Sequence, residues 1–524
     1  LLDYNKRINK HIISAMGGVS QEVLNNRGFD AKTRFTDPDL GIVVSNGEEE
    51  DFYEGTTTEL NGTLKRVIQS VFGRVNYNYD NRYSTEFTLR ADGSSRFPKE
   101  NRWGIFPSVS LGWTISEENF MQNYKNNIGD LKLRGSWGIL GNQEIADFQY
   151  FTTYTVYNNQ AGFSNSAVSG TGFQEASPDL KWEKVNSKNI GLDLSFLKRT
   201  LNVSFDVFSN KTTDILLTPI TPSVYGTVLG VVNIGSMQNR GWELNVNYRL
   251  ATGAVNHSIA FNIGNTKNRA LDLGNAEIRT VDNIGFIRRN GLPLGAYYGL
   301  KTDGVFQSYE EIANAAVPVG TSPQPGDVKY VDRNNDGVIN NDDRFYLGDG
   351  FPHYNFGFSY NVNYKGFDLS VLVQGVGKRL QSLRGDIYTP FHNGGWYPVI
   401  FKHQLDTWSV ANTDARFPRL NTNSGSSYSN NWGQASDMYL LDAKYIRIKN
   451  IQVGYSLPQQ VVKKIGLEKV RIYANAQNPF TFSKNSFIDP ESTEFDNMLK
   501  AGGGNSGRNY PTLKFYGAGI NVEF

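Results

Sequence analysis

The sequence has no cysteine in its 524 residues. That excludes a disulfide framework and any metal site built on thiolates of this chain. Histidine is scarce: only His11, His257, His353, His392 and His403 occur, and no two stand in an H-x-x-x-H spacing. The paired-histidine zinc site of metalloproteases is therefore absent. There is no G-x-S-x-G in a strand–turn–helix setting either, and no two of the many carboxylates stand out as a catalytic pair. The sequence reads as a non-enzyme. Formal net charge is +1, so no bulk field argues for nucleic acid. Mean hydropathy is −0.45, and no unbroken apolar run reaches the roughly 18 residues of a spanning helix. The best stretch, ILLTPITPSVYGTVLGVVNIG, is interrupted by Pro219 and Pro222. The opening residues LLDYNKRINKH are not a signal peptide. The expectation is a chain that begins after processing or belongs to something longer.

What is present is period-2 alternation along almost the whole chain. In GWELNVNYRL, Trp242, Leu244, Val246 and Tyr248 alternate with Glu243, Asn245, Asn247 and Arg249. YSTEFTLRA sets Tyr83, Phe87 and Leu89 against Glu86 and Arg90, and DLKLRGSWGIL sets Leu131, Leu133, Trp137 and Ile139 against Lys132, Arg134 and Ser136. KYIRIKNIQVGY slips phase near Asn450, which predicts a bulge. Helical signals are confined to SEENFMQNYK and SLPQQVVKKIG, a turn or two each. About 14 strands follow, centred near residues 14, 71, 88, 110, 135, 190, 206, 244, 261, 359, 371, 449, 474 and 518. Their connections alternate between short turns and long loops. The longest loops are 270–352 and 378–441.

Short turns on one side and long loops on the other are the layout of a transmembrane antiparallel β-barrel. Soluble β-sandwich domains alternate too, and a soluble multi-domain protein binding carbohydrate is the alternative. A sandwich does not place every long loop at one end, however. The polar face here is also rich in Arg, Lys, Asp and Glu, as a water-filled lumen would be. A hydrophobic fraction of only 39% suits a barrel with no apolar core. The final stretch KFYGAGINVEF alternates Tyr516, Ala518, Ile520, Val522 and Phe524. Phe524 on the apolar register is read as the barrel-assembly signal, and the lipid bilayer as the surrounding medium.

The segment DRNNDGVINNDD, residues 332–343, has nearly the spacing of an EF-hand calcium loop. The ligand set would be Asp332, Asn334, Asp336, the carbonyl of Val338, Asn340 and Asp343, with Gly337 at the sharp turn. Both flanks, GDVKYV and RFYLGDG, read as extended, so the helices that a sensor moves are missing. Structural Ca²⁺ of low affinity is the expectation, against a metal-free turn in which these side chains cap backbone amides.

Several stretches resemble the SusC/RagA-type TonB-dependent outer-membrane transporters of Bacteroidetes. They include FGRVNYNYDNRYSTEFTLRADGSSRF (72–97), NRWGIFPSVSLGWTISEENFM (101–121), LKLRGSWGILGNQEI (131–145), SPDLKWEKVNSKNIGLDLSFL (177–197), NIGSMQNRGWEL (233–244), GDVKYVDRNNDGVINNDDR (326–344), LDTWSVANTDARFPRL (405–420) and NAQNPFTFSKNSFIDPE (475–491). The resemblance implies the C-terminal portion, residues 1–524, of a 22-stranded barrel. The plug domain and TonB-contacting segment would lie outside this chain, and the remaining strands would come from the same or another polypeptide. It implies active import of nutrient oligomers, glycans or peptides, with a SusD-like lipoprotein as lid and energy delivered through TonB. The location implied is the outer membrane of a Bacteroidetes-like Gram-negative bacterium. A passive porin or an adhesin is the alternative within the membrane class. Aromatics in the long loops stack on sugar faces, which makes Trp396, Tyr397, Trp408, Tyr428 and Trp432 the candidate substrate contacts.

Overall fold

The computed structural model describes residues 1–27, 29–32, 51–54, 63–163, 166–175, 177–219, 224, 229–274, 278–279, 285–383, 385–391, 400–421, 425–491, 504–505 and 510–524. Among these, one fifteen-stranded sheet dominates. Its strands are β1 (Leu2–Ile8), β2 (His11–Arg27), β3 (Thr63–Tyr79), β4 (Tyr83–Ser94), β5 (Trp103–Thr114), β6 (Leu131–Asn142), β7 (Glu183–Phe196) and β8 (Leu201–Leu217). They continue as β9 (Val232–Thr252), β10 (Val255–Asp272), β11 (His353–Tyr364), β12 (Phe367–Lys378), β13 (Tyr445–Ser456), β14 (Lys469–Ser483) and β15 (Phe515–Glu523). Hydrogen-bonded order follows chain order.

All fourteen expected strand centres fall inside strands, and the count is corrected by one. The added strand is β1, which pairs with β2 through a tight turn from Ile8 to His11. Its polar Lys6 falls in the Leu2, Tyr4, Ile8 register and spoils the alternation. The bulge near Asn450 is present, as register shifts on both sides of β13 between Ile448 and Asn450 or Leu372 and Val373. The helical signals become one-turn pieces, Gln122–Asn127 and Gln459–Val462. The second piece runs into a 3-10 turn that ends on left-handed Gly466, φ 74°. No helix among the described residues is long and apolar enough to cross a membrane.

The chain divides into two compact units. In the first, β1 to β5 pair antiparallel. Register sets Val75 beside Phe87 and Phe87 beside Val109 on one face, and Asn76, Glu86 and Ser110 on the other. The apolar face stays open: Val75 is 47% and Phe87 48% exposed. At the short-turn end of that face Tyr79, Tyr83 and Trp113 form a cross-strand aromatic row. The core of this unit lies instead at the loop ends, where Phe97, Phe106, Ile145, Leu180 and Trp182 pack together. Trp182 takes Phe97 and Phe106 at ring-centroid distances of 5.2 and 5.4 Å, and its Nε1–H donates to the Arg102 carbonyl at 3.0 Å. Burial of five large side chains there, rather than along the strands, fixes the loop ends.

In the second unit β9 to β15 pair antiparallel. Phe261, Phe358, Val373 and Ile448 make one apolar row, while Asn262, Gly357, Gln374 and Arg447 make the neighbouring row on the opposite face. Tyr364, Phe367 and Tyr455 repeat the aromatic row at the short turn. Here too the buried cluster belongs to the connections: Phe286, Tyr297, Leu383, Ile387, Tyr388, Phe417, Trp432, Tyr439 and Leu441.

Candidate functional site

The polar face of the sheet carries its charge in ion pairs. Arg134 on β6 donates from Nε to Asp193 at 2.6 Å and from Nη2 to Asp206 at 3.0 Å. Arg471 on β14 grips Asp368 with two bonds of 2.9 and 2.5 Å. In the first unit Arg66 holds Asp147 bidentately at 3.1 and 2.7 Å, and Arg90 joins Asp92 and Ser70. The planar guanidinium suits two parallel bonds to a carboxylate. A face so lined is laced with ion pairs. At the short-turn side, Arg199 pairs with Asp130 at 2.6 Å, and that hydrogen bond holds the Asp130 carboxyl below the ordinary carboxylate range.

The connections after β10 and β12 fold on each other. Asp327 has no exposed surface. It accepts from Arg419 Nε at 2.8 Å, Ser427 Oγ at 2.6 Å, Asn431 Nδ2 at 3.0 Å and the Gln324 amide at 2.8 Å. Four donors from two connections satisfy one buried charge. Asn431 Oδ1 accepts the Val328 amide, Asn430 Nδ2 donates to the Val328 carbonyl, and the Tyr330 hydroxyl donates to the Asn430 carbonyl. Next to this knot lies the aromatic cluster, with Tyr388 edge-on to Trp432 at 5.7 Å and 79°.

The structure separates the aromatic candidates. Trp432 is 1% exposed and spends its Nε1–H on Asn421 Oδ1 at 3.2 Å, so its ring is packing for the loop core. Tyr428 is half-buried against the same core, and burial pushes its hydroxyl pKa up. Trp408 is half-buried and donates to Gln307 Oε1 at 3.0 Å. Trp396 and Tyr397 lie outside the described residues.

The acidic turn stands between two extended pieces, Val328–Tyr330 and Phe345–Asp349. Asp332 accepts the amides of Asn335 and Gly337 at 2.7 and 2.9 Å. Asp343, fully buried, accepts those of Arg333 and Asn340 at 2.9 and 2.7 Å. Asp336 accepts from Val338, and Asn340 Oδ1 from Asp342. Gly337 sits at φ 84°, where a side chain would be strained. Among the described residues no three carboxylates or histidines converge as a metal-holding group. Each of these oxygens keeps a second lone pair. A cation would have to share the amide-capping oxygens and draw Asp332, Asp336 and Asp343 together.

Another charge cluster escaped the sequence reading. Arg447 on β13 is 3% exposed. It donates to Thr481 Oγ1 at 2.9 Å, to Asp489 at 2.5 Å and to Glu491, while Lys449 reaches Glu491 at 3.0 Å. Arg447 was legible only as one more polar position on an alternating strand. On β15, Tyr516, Ala518, Ile520 and Val522 pair with Ala476, Ala474, Ile472 and Val470; Phe524 follows the end of the strand and is 90% exposed.

Residues 4–374 match the family described as TonB dependent receptor-like, beta-barrel. TonB-dependent receptor P3 of Formosa agariphila is 31% identical over all of this chain and 52% of its own length. TonB-dependent receptor SusC of Bacteroides thetaiotaomicron is 31% identical over 88% of this chain and 44% of its own. The chain thus spans about half the length of the curated relatives it matches. Among solved structures, the RagAB peptide transporter superposes on all of this chain and 54% of its own with a TM-score of 0.77, at 23% identity. That likeness concerns the fold.

Proposed function

The chain belongs to the TonB-dependent receptor-like β-barrel family, and we propose that it builds wall and mouth of a nutrient importer in a Gram-negative outer membrane. The cargo class is oligomeric, glycan or peptide. A SusD-like surface lipoprotein presents the cargo, and TonB supplies the energy through a plug. The observation that carries this reading is the split character of the sheet. One face leaves apolar side chains such as Val75 and Phe87 uncovered, with aromatic rows at the turns, as a lipid-facing wall requires. The other face holds paired charge, as suits a water-filled lumen. The folded connections after β10 and β12 then supply the mouth and the surface on which a lipoprotein rests. The printed names of SusC and P3, TonB-dependent receptors, support energy supplied through TonB. We further infer that the 332–343 turn takes Ca²⁺ weakly, at roughly 10⁻⁴–10⁻³ M as in other extracellular sites.

The test is uptake by whole cells of fluorescent oligosaccharide and oligopeptide mixtures. Uptake that stops with a protonophore, and stops when the companion lipoprotein is deleted, is the expected result. Uptake that continues in both cases makes the protein a passive porin. Surface binding without entry makes it an adhesin, and absence from the outer-membrane fraction sinks the reading altogether.

A further inference from the structure

The Asp489–Glu491 turn reaches back onto the polar face of the sheet. Arg447 shares that face with Gln374 and Thr481, its register partners. Each nitrogen of its guanidinium is engaged: Nε with Thr481, Nη2 with Asp489 and Nη1 with Glu491. Lys449 adds a second hold on Glu491. Arg379, just past β12, donates from Nη1 to the Pro490 carbonyl at 3.1 Å. Asp489 also accepts the Thr512 amide at 2.8 Å, so both limbs of the β14–β15 connection are tied to one carboxylate. Asn485 donates to the Asp442 carbonyl at 2.8 Å. Tyr445, whose ring lies under the Arg447 guanidinium at 5.7 Å, is 4% exposed, and its strand partner Val376 is 7% exposed, although both sit on the polar side in the same register as Gln374 and Arg447.

We propose that residues 484–491 form a strap folded inward across the polar wall, with Arg447 as its fastener, and that the strap covers the upper part of the conduit. The proposal rests on the reading that this face lines a lumen. Arg447 and Lys449 meet two carboxylates, and Arg379 spends its Nη1 on the Pro490 carbonyl, so the cluster's contacts serve the turn itself. Its ion pairs run between the wall and the connection, which is the arrangement of a latch. Truncating one partner of a buried, hydrogen-bonded charge set leaves the others unpaired, and the strap then lifts from the wall.

These 524 residues contain no cysteine, so an introduced thiol is the only one in this part of the wall. Val376→Cys is introduced into the full transporter in outer membranes, with and without Arg447→Gln, and labelled with a membrane-impermeant maleimide. Folding is followed by heat-modifiable gel mobility. Labelling at least tenfold faster with Arg447→Gln is expected. Should Arg447→Gln fail to assemble, Glu491→Gln with Asp489→Asn removes the same ion pairs from the strap side and must accelerate labelling likewise. Equal labelling rates in a folded barrel overturn the strap. A separate cysteine at Val371, which sits on the apolar face beside Tyr360 and Ile451, reports on the barrel reading alone. Rapid labelling there by the water-soluble reagent would defeat that reading whatever the strap does.

Discussion

Arg419 Nε lies 2.8 Å from Oδ1 of Asp327, and these residues belong to different connections of the same unit. With Ser427 and Asn431 they tie the connection after β10 to the one after β12. Removing the charge from Asp327 while keeping its shape strands Arg419 in a partly buried site. Asp327→Asn is expected to cost about 3 kcal/mol, the low end for a broken buried pair. The loss should be local. Hydrogen exchange ought to rise across 324–331 and 426–432 while the strand amides of β10 to β13 keep their protection. Uniform loss of protection over the strands would contradict a self-contained loop assembly.

His403 gives the same assembly a pH dependence. Its ring lies on Phe487, centroids 3.9 Å apart and planes 9° apart, and its Nε2 is 2.7 Å from the Ile387 carbonyl. Burial pushes the imidazole below its ordinary value. The unfolded loop therefore binds more protons than the folded one as pH falls. The stabilisation is complete above the unfolded value, about 6.5, and declines as pH drops through the depressed folded value. Exchange of the 400–417 amides, corrected for intrinsic rate, is expected to show easier opening at pH 5 than at pH 8. His403→Phe keeps the stack and removes the titration, so it should flatten that difference. A pH profile that persists in His403→Phe would assign the effect elsewhere.

The two faces of the sheet make opposite demands. Phe87 lies in the open apolar row of β4, whereas Glu86 next to it lies on the polar side. Phe87→Arg is expected to destabilise the inserted barrel by ~2–4 kcal/mol, the cost of a cation on the lipid face near mid-depth. Glu86→Lys, which also makes the side chain cationic, should cost little. Urea titration of the two variants in lipid vesicles compares them directly. Equal costs would mean that both faces see water.

How much of this the sequence disclosed depends on the range of the interaction. Alternation is a property of neighbouring residues, so the strands, their faces and the Asn450 bulge were legible. Strand β1 was not, because Lys6 interrupts its apolar register. The mouth was legible only as aromatic-rich loop. Trp432 looked like a sugar platform because nothing local says that Tyr388 and Tyr439 close around it. Asp327 meets Ser427 and Asn431 across 100 to 104 residues, and Arg447 meets Asp489 across 42. No period or motif records such pairings. They arise only once the strands have set the ends of the connections in place.

The acidic turn is where local and non-local readings diverge most. Its spacing fits a cation loop, while its oxygens already cap the amides of Arg333, Asn335, Gly337, Val338, Asn340 and Asp342. Those caps already give the turn its shape. Binding would gather Asp332, Asp336 and Asp343 onto one ion and tighten a turn that already exists. Millimolar Ca²⁺ is therefore expected to slow hydrogen exchange at 332–343 relative to EDTA, leaving β10 to β12 unchanged. Asp336→Asn should abolish that response and leave the metal-free rates nearly as they were, because Asn can still accept from the Val338 amide. Identical exchange with Ca²⁺ and with EDTA in the parent protein would end the calcium proposal and leave the turn as an amide-capped brace.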